Sequence, residues 1–192
     1  MLYCDSPPLF YGFIRWQNQI NNAQGHIFEQ GIKAACLIYH DSGRAEVDKT
    51  PEPFRVMNKG QDGTFTGRFT ALAAPDFQGT LKGGQSIVFE AKYTTTDRLK
   101  RNILTDAQME ALENHLRIGA ESGVCAGIQN DYFFVPWELW RDMKKHFGRL
   151  YVTSQNLETY RIRFTGAVLF LDYIHPAGLH QSQTKKIKGK AD

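Results

Sequence analysis

Two short segments of this 192-residue chain carry residue types that can do hydrolytic chemistry at phosphate. Pro75-Asp76 is followed by Phe89-Glu90-Ala91-Lys92. In an extended strand Glu90 and Lys92 share one face, while Ile87, Phe89 and Ala91 occupy the other. A Glu-x-Lys step by itself is an ordinary surface ion pair. Asp76 changes that reading, because two antiparallel strands joined through 79–85, with Gly83-Gly84 as the turn, bring it beside Glu90. Paired carboxylates repel unless a cation sits between them. A hard divalent ion suits them, since it accepts one or two carboxylates and completes its shell with water and phosphate. Such an ion lowers the pKa of a bound water and polarises a phosphodiester. Lys92 then serves as a fixed cation for the attacking water or for the developing negative charge.

Two further residues have both a plain and a chemical reading. Glu29 follows core-facing Phe28 on a predicted helix, which puts it at the margin of a sheet, although a solvated helix glutamate is the simpler account. Thr105-Asp106-Ala107-Gln108 matches a capping box, so Gln108 either closes a helix N-terminus or reaches Lys92 to position water or phosphate. The two roles are compatible, because a helix N-terminus beside a phosphate is itself favourable.

The elements that must position these residues follow from periodicity. Apolar residues at Phe28, Ile32, Ala35, Cys36 and Tyr39 predict a helix over 24–40, ended by Asp41-Ser42-Gly43. A short strand is expected at 45–48, broken by Thr50-Pro51-Glu52-Pro53. Stretches 54–57 and 64–71 read as a polar hairpin carrying Arg55, Lys59 and Arg68, too poor in apolar residues to pack and able to project. A strand or bend at 75–79 leads to a strand at 86–92. A helix is expected over 105–118, a hairpin from 123–128 and 132–135, a helix from Pro136 to about Phe147, and final strands at 160–164 and 167–174. The first 21 residues show no period and read as an irregular arm, 22–176 as one domain, and 177–192 as a basic flexible tail. The class is α/β (α+β) with one central mixed sheet.

Composition narrows the function classes. With 42% hydrophobic residues, 17 Gly and 7 Pro, the chain is neither collagen-like nor disordered. No apolar run approaches a membrane span, and the start lacks the cationic and apolar regions of a secretory signal. Cys4, Cys36 and Cys125 are odd in number and widely spaced, which argues for reduced thiols in a cytoplasmic protein and against a disulfide framework. The net charge is +3, and its distribution is uneven. Lys92, Arg98, Lys100 and Arg101 face only Asp97; Arg141, Lys144, Lys145 and Arg149 face only Asp142; Lys185, Lys186, Lys188 and Lys190 face only Asp192. Clusters of this kind are candidate phosphate contacts.

Pro75-Asp76 with Phe89-Glu90-Ala91-Lys92 resembles the PD-(D/E)xK nuclease signature, and the surrounding sequence is similar to the RecU family of Holliday junction resolvases. The similarity includes Gly25-His26-Ile27-Phe28-Glu29, Lys49-Thr50-Pro51-Glu52-Pro53, Phe89-Glu90-Ala91-Lys92-Tyr93-Thr94, Leu104 with Gln108 and Met109, and Leu171-Asp172-Tyr173-Ile174. It extends in order over roughly 22–174. The resemblance implies a restriction-endonuclease-like fold with the 54–69 hairpin as a protruding stalk entering the centre of a four-way junction. It implies Asp76 and Glu90 as metal ligands, Lys92 as the catalytic lysine, and Glu29 and Gln108 as further catalytic residues. Arg55, Lys59 and Arg68 would contact phosphates from the stalk. Arg98, Lys100 and Arg101, from the basic cluster noted above rather than from the family pattern, are expected as further DNA contacts. Mg2+ is the implied cofactor, with Mn2+ as a substitute, and the implied partners are branched DNA, a second copy of the chain, and a recombinase. The chain departs from the family pattern in its aromatic N-terminus, its Gly-rich stalk, residues 94–103 and the lysine tail; a bacterial or phage source fits such a member. Two alternatives stand beside this reading: a nuclease of the same fold with a restriction or repair substrate, and a non-catalytic DNA-binding protein that keeps the fold.

Overall fold

Residues on both sides of Glu90 are apolar and alternate between two environments, which makes their strand the centre of a sheet covered on both faces. The computed structural model describes residues 8–51, 54–60, 62, 64–69 and 74–173. The central strand β5 (Ser86–Thr94) pairs antiparallel with β4 (Phe77–Leu81) and parallel with β7 (Glu121–Ile128). Outside these lie β1 (Ala45–Lys49) against β4 and β8 (Asp131–Pro136) against β7, both antiparallel, giving the order β1-β4-β5-β7-β8. Parallel neighbours need a crossover, and α2 (Asp106–Arg117) lies within it.

One face of the sheet buries Phe77, Ile87, Phe89, Cys125 and Phe134 against Phe28, Ile32, Ala35 and Tyr39 of α1 (Pro8–Asp41). The other buries Val88, Val124, Ala126 and Phe133 against Leu112 of α2 and against Trp137 and Trp140 of α3 (Trp137–Arg141). The result is a helix, sheet, helix sandwich, the mixed α/β architecture expected from the sequence. Within it the β4–β5 register is fixed by packing. Phe77 pairs with Phe89, and their rings stack at 5.1 Å. A slip of one residue would turn Glu90 to the α1 face and Phe89 to the α2 face. Gly79 permits the close approach of β4 to β1, since a Cβ there would lie 2.0 Å from the Glu46 carbonyl oxygen. Gly83 and Gly84, at φ of 101° and 91°, supply the turn into β5.

The polar hairpin forms as a separate two-stranded sheet, β2 (Phe54–Lys59) with β3 (Phe65–Phe69). Its register sets Arg55 opposite Arg68 and is irregular between Val56 and Asn58. At its tip the Asp62 carboxylate accepts the Thr64 N–H at 3.1 Å, a local turn that needs no packing. The side chains of Arg55, Lys59 and Arg68 lie outside what the structure describes, as do residues 70–73 and the lysine tail.

Three sequence expectations are corrected. The irregular N-terminal arm is, from Pro8 on, the first half of α1, which runs 34 residues to Asp41. Its sequence there is rich in aromatics with Gly, Asn and Gln interspersed, which leaves no narrow apolar stripe at helical spacing; Pro8 suits a first helical position. In place of the final strands expected at 160–164 and 167–174, the chain from 161 to 169 is irregular with isolated bridges, between the 3-10 turns Ser154–Tyr160 and Phe170–Asp172; residue 174 lies outside the described residues. The apolar residues Ile162, Val168, Phe170 and Leu171 are buried all the same. The chain there is held by Tyr39 Oη, which accepts the Leu171 N–H at 3.2 Å, and by Arg163 Nε donating to Asp172 at 2.8 Å. The helix expected from Pro136 to about Phe147 breaks at Asp142 into α3 and α4 (Met143–Phe147). A further ribbon absent from the sequence reading pairs β6 (Arg98–Lys100) with β9 (Tyr151–Thr153).

Candidate active site

Glu90 projects from β5 toward the α2 side of the sheet and is wholly buried, one of only two buried polar or charged side chains among the described residues. A carboxylate in that position requires donors. Its Oε2 receives two, Gln108 Nε2 at 2.6 Å and Lys92 Nζ at 3.1 Å. Its Oε1 is buried with no partner among the described residues. Asp76, just before β4, lies where the β4–β5 ladder has ended, so its Oδ2 accepts the Ala91 N–H at 3.0 Å in place of a strand. Lys92 Nζ is 3.5 Å from the same Asp76 oxygen, so one ammonium sits against both carboxylates. Burial, followed by the charge of Asp76, pushes Glu90 up from 4.5 to about 7, against the opposing pull of Lys92.

Gln108 fills both roles that the sequence left open. Its backbone N–H donates to Thr105 Oγ1 at 3.3 Å and its Oε1 accepts the Thr105 N–H at 3.1 Å, a complete capping box. The other end of the same amide is the donor to Glu90. The helix cap therefore fixes the orientation of the buried carboxylate.

Glu29 is half-buried on α1 and pairs with Lys49 at the end of β1. That places it at the margin of the site. Thr50 carries a signal that its type and spacing did not reveal. Its N–H donates to the Asp76 carbonyl at 2.9 Å, one step past the β1–β4 ladder, and its Oγ1 is buried without a partner among the described residues. Two of the four such orphaned atoms thus flank Asp76.

The residues fit a cation. A buried carboxylate oxygen without a donor is costly, and a bound cation would offset that cost at Glu90. No group of three or more His, Cys, Asp or Glu side chains suited to a metal gathers among the described residues. A donor set of two carboxylates matches Mg2+, which keeps several waters and takes oxygens from a substrate phosphate.

Of the cations expected at DNA, Arg98 donates to Asp97 at 2.8 Å through both Nε and Nη2 and lies over the Tyr151 ring at 5.0 Å. Lys100 is exposed. Arg101 is turned away, its Nε donating to the Arg141 carbonyl at 3.2 Å. Arg98 and Lys100 border an open groove of about 450 Å³ that begins at Thr94, two residues beyond Lys92 on the same face of β5.

A comparison with curated protein sequences gives no match. Among solved structures the chain is similar to Hjc, a Holliday junction resolvase from the archaeal hyperthermophile Archaeoglobus fulgidus, with 15% identity, 71% of this chain and 89% of that chain covered, and a TM-score of 0.43. The family model of recombination protein U, RecU, matches residues 23–177. That span is about four-fifths of the sequence and contains Glu29, Thr50, Asp76, Glu90, Lys92 and Gln108. The chain belongs to the RecU family.

Proposed function

We propose that this protein is a metal-dependent endodeoxyribonuclease that resolves four-way DNA junctions, a Holliday junction resolvase acting in recombination and repair. One observation carries the chemistry: a fully buried Glu90 with an orphaned oxygen, set beside Asp76 and bridged to it by Lys92. Membership of the RecU family supports the junction as substrate.

Asp76 and Glu90 would hold Mg2+, or Mn2+ in its place. Bound there, the ion lowers the pKa of a water and polarises the phosphodiester. The protein's own groups prepare the reaction. Gln108 locks Glu90 Oε2, so that Oε1 remains the free donor atom. Lys92 offsets the repulsion between the carboxylates and offers its remaining N–H donors to charge developing on the phosphate. The hairpin β2–β3 is the element suited to entering the junction opening. A resolvase cuts two opposed strands, so two sites related by a dyad are needed, and a homodimer supplies them. Buried, free Cys36 and Cys125 agree with a reducing, cytoplasmic setting, and no helix among the described residues is long and apolar enough to cross a membrane.

The test is cleavage of a four-way junction in Mg2+. Asp76→Asn and Glu90→Gln are each expected to lose activity by at least ~100-fold, as befits loss of a metal-activated nucleophile. Junction binding in Ca2+ is expected to persist. Cleavage by either variant at the wild-type rate, or equal cutting of linear duplex by the wild type, would refute the assignment.

A further inference from the structure

The ribbon β6–β9 lies outside the carboxylate site, and its two faces differ sharply. Leu99 and Val152 are buried in the α2-side core. The register Arg98↔Thr153, Leu99↔Val152, Lys100↔Tyr151 then puts Arg98, Lys100 and Tyr151 together on the other face. Arg149, two residues before Tyr151, joins them. Its guanidinium lies 4.6 Å from the centroid of the Tyr151 ring, over which Arg98 also sits at 5.0 Å. The two guanidinium carbons are therefore within about 10 Å of each other.

Only Arg98 of these cations has a carboxylate, that of Asp97. Arg149 pairs with no acidic side chain among the described residues. Its Nη2 donates to the neutral Asn156 Oδ1 at 2.6 Å, and its Nε is buried with no acceptor. Arg149 is thus a half-buried guanidinium held against an aromatic ring with no carboxylate to balance it, on the face of the ribbon that also carries exposed Lys100, an arrangement that an anion stabilises. The pattern contrasts with Arg141, Arg161 and Arg163, each of which is matched by carboxylates.

Arg98 and Lys100 of the ribbon line the groove of about 450 Å³ together with Thr94, near the end of β5.

We propose that Lys100, Arg149 and Tyr151 form a second phosphate-backbone contact, outside the carboxylate site, which grips a DNA arm and helps to hold the scissile phosphate at Asp76 and Glu90. It rests on the nuclease reading above and deepens it. Tyr151 packs on the Arg149 guanidinium, Asn156 accepts from one edge of it, and Lys100 adds a second charge on the same face of the ribbon. The contact carries no base information, because its groups are cations and a ring aimed at backbone charge.

The experiment measures junction affinity in Ca2+ against salt concentration for the wild type, Lys100→Ala, Arg149→Ala and the double variant. Each single variant is expected to lower the slope of log Kd on log salt by about 0.9, the value for one phosphate contact. A neutral methylphosphonate scanned along the cut strand locates the contact. At the contacted phosphate it should weaken the wild type and leave the double variant unchanged. Wild-type slopes in the variants, or an equal methylphosphonate cost in both proteins, would overturn the proposal while leaving the nuclease reading in place. A wild type that neither binds nor cuts the junction overturns both. Lys100 is exposed and bound to nothing structural, so its variant keeps the test decisive even where Arg149→Ala fails to fold.

Discussion

Glu90 concentrates the chemistry of this protein in one titration. Its carboxyl is raised to about 7 by burial first and by Asp76 second, so the folded chain binds that proton more tightly than the unfolded chain does. The resulting stability is full below pH 4.5, declines between pH 4.5 and pH 7, and is lost above. The decline is on the order of 3 kcal/mol at 1.36 kcal/mol per pH unit. Melting temperature measured without metal should therefore fall across this window more in the wild type than in Glu90→Gln. Saturating Mg2+ should flatten the difference, because a cation favours the carboxylate. The rate of cleavage should rise through the same window, with its midpoint moving to lower pH as Mg2+ increases. A midpoint indifferent to Mg2+ would remove Glu90 from the ligand set. Lys92 lowers the Glu90 pKa, so Lys92→Met should move that midpoint to higher pH as well as depress the rate; a depressed rate with an unmoved midpoint would assign Lys92 to the transition state alone.

Among the elements, the hairpin β2–β3 is the one whose loss the domain should tolerate. It pairs only within itself, and no strand of the five-stranded sheet joins it. Its described tip residues Asn58, Gly60, Asp62 and Thr64 are exposed, as is Met57 at 62%. Those described residues contribute little buried area. Replacing residues 58–63 with a two-residue turn should leave the melting temperature nearly unchanged and weaken four-way junction binding far more than duplex binding. The ribbon β6–β9 carries the opposite expectation, because its charges meet an arm that duplex and junction share. Equal losses on both substrates after shortening the hairpin would transfer the stalk role away from it.

For the whole molecule, two opposed cuts require two carboxylate sites acting in one complex. Mixing wild-type protein with Asp76→Asn should give heterodimers that hold one live site. On a four-way junction these should nick one strand and stall, with the nicked product rising and the bilateral product falling as the variant is added. A product distribution that stays bilateral at every mixing ratio would mean that one chain makes both cuts.

Alternation around Glu90, the glycine turn and the spacing from Asp76 were readable in the linear chain, because strand geometry is local and a period of two assigns faces without knowledge of neighbours. The capping box at Thr105 and Gln108 was readable for the same reason. α1 was half hidden, since its first half carries a broad apolar arc with Asn and Gln interspersed, and residues 160–173 had the composition of strands while their backbone hydrogen bonds went to one another and to Gly31, Tyr39 and Tyr132. Tertiary structure alone decided the rest: that Phe77 stacks on Phe89 and so fixes the register that sets Asp76 at the Ala91 N–H, that Gln108 turns its free amide to Glu90, and that Thr50 and Arg149 carry unmet polar atoms. A polar atom becomes costly only when other parts of the chain remove its water, and which parts do so is settled by packing between residues distant in sequence.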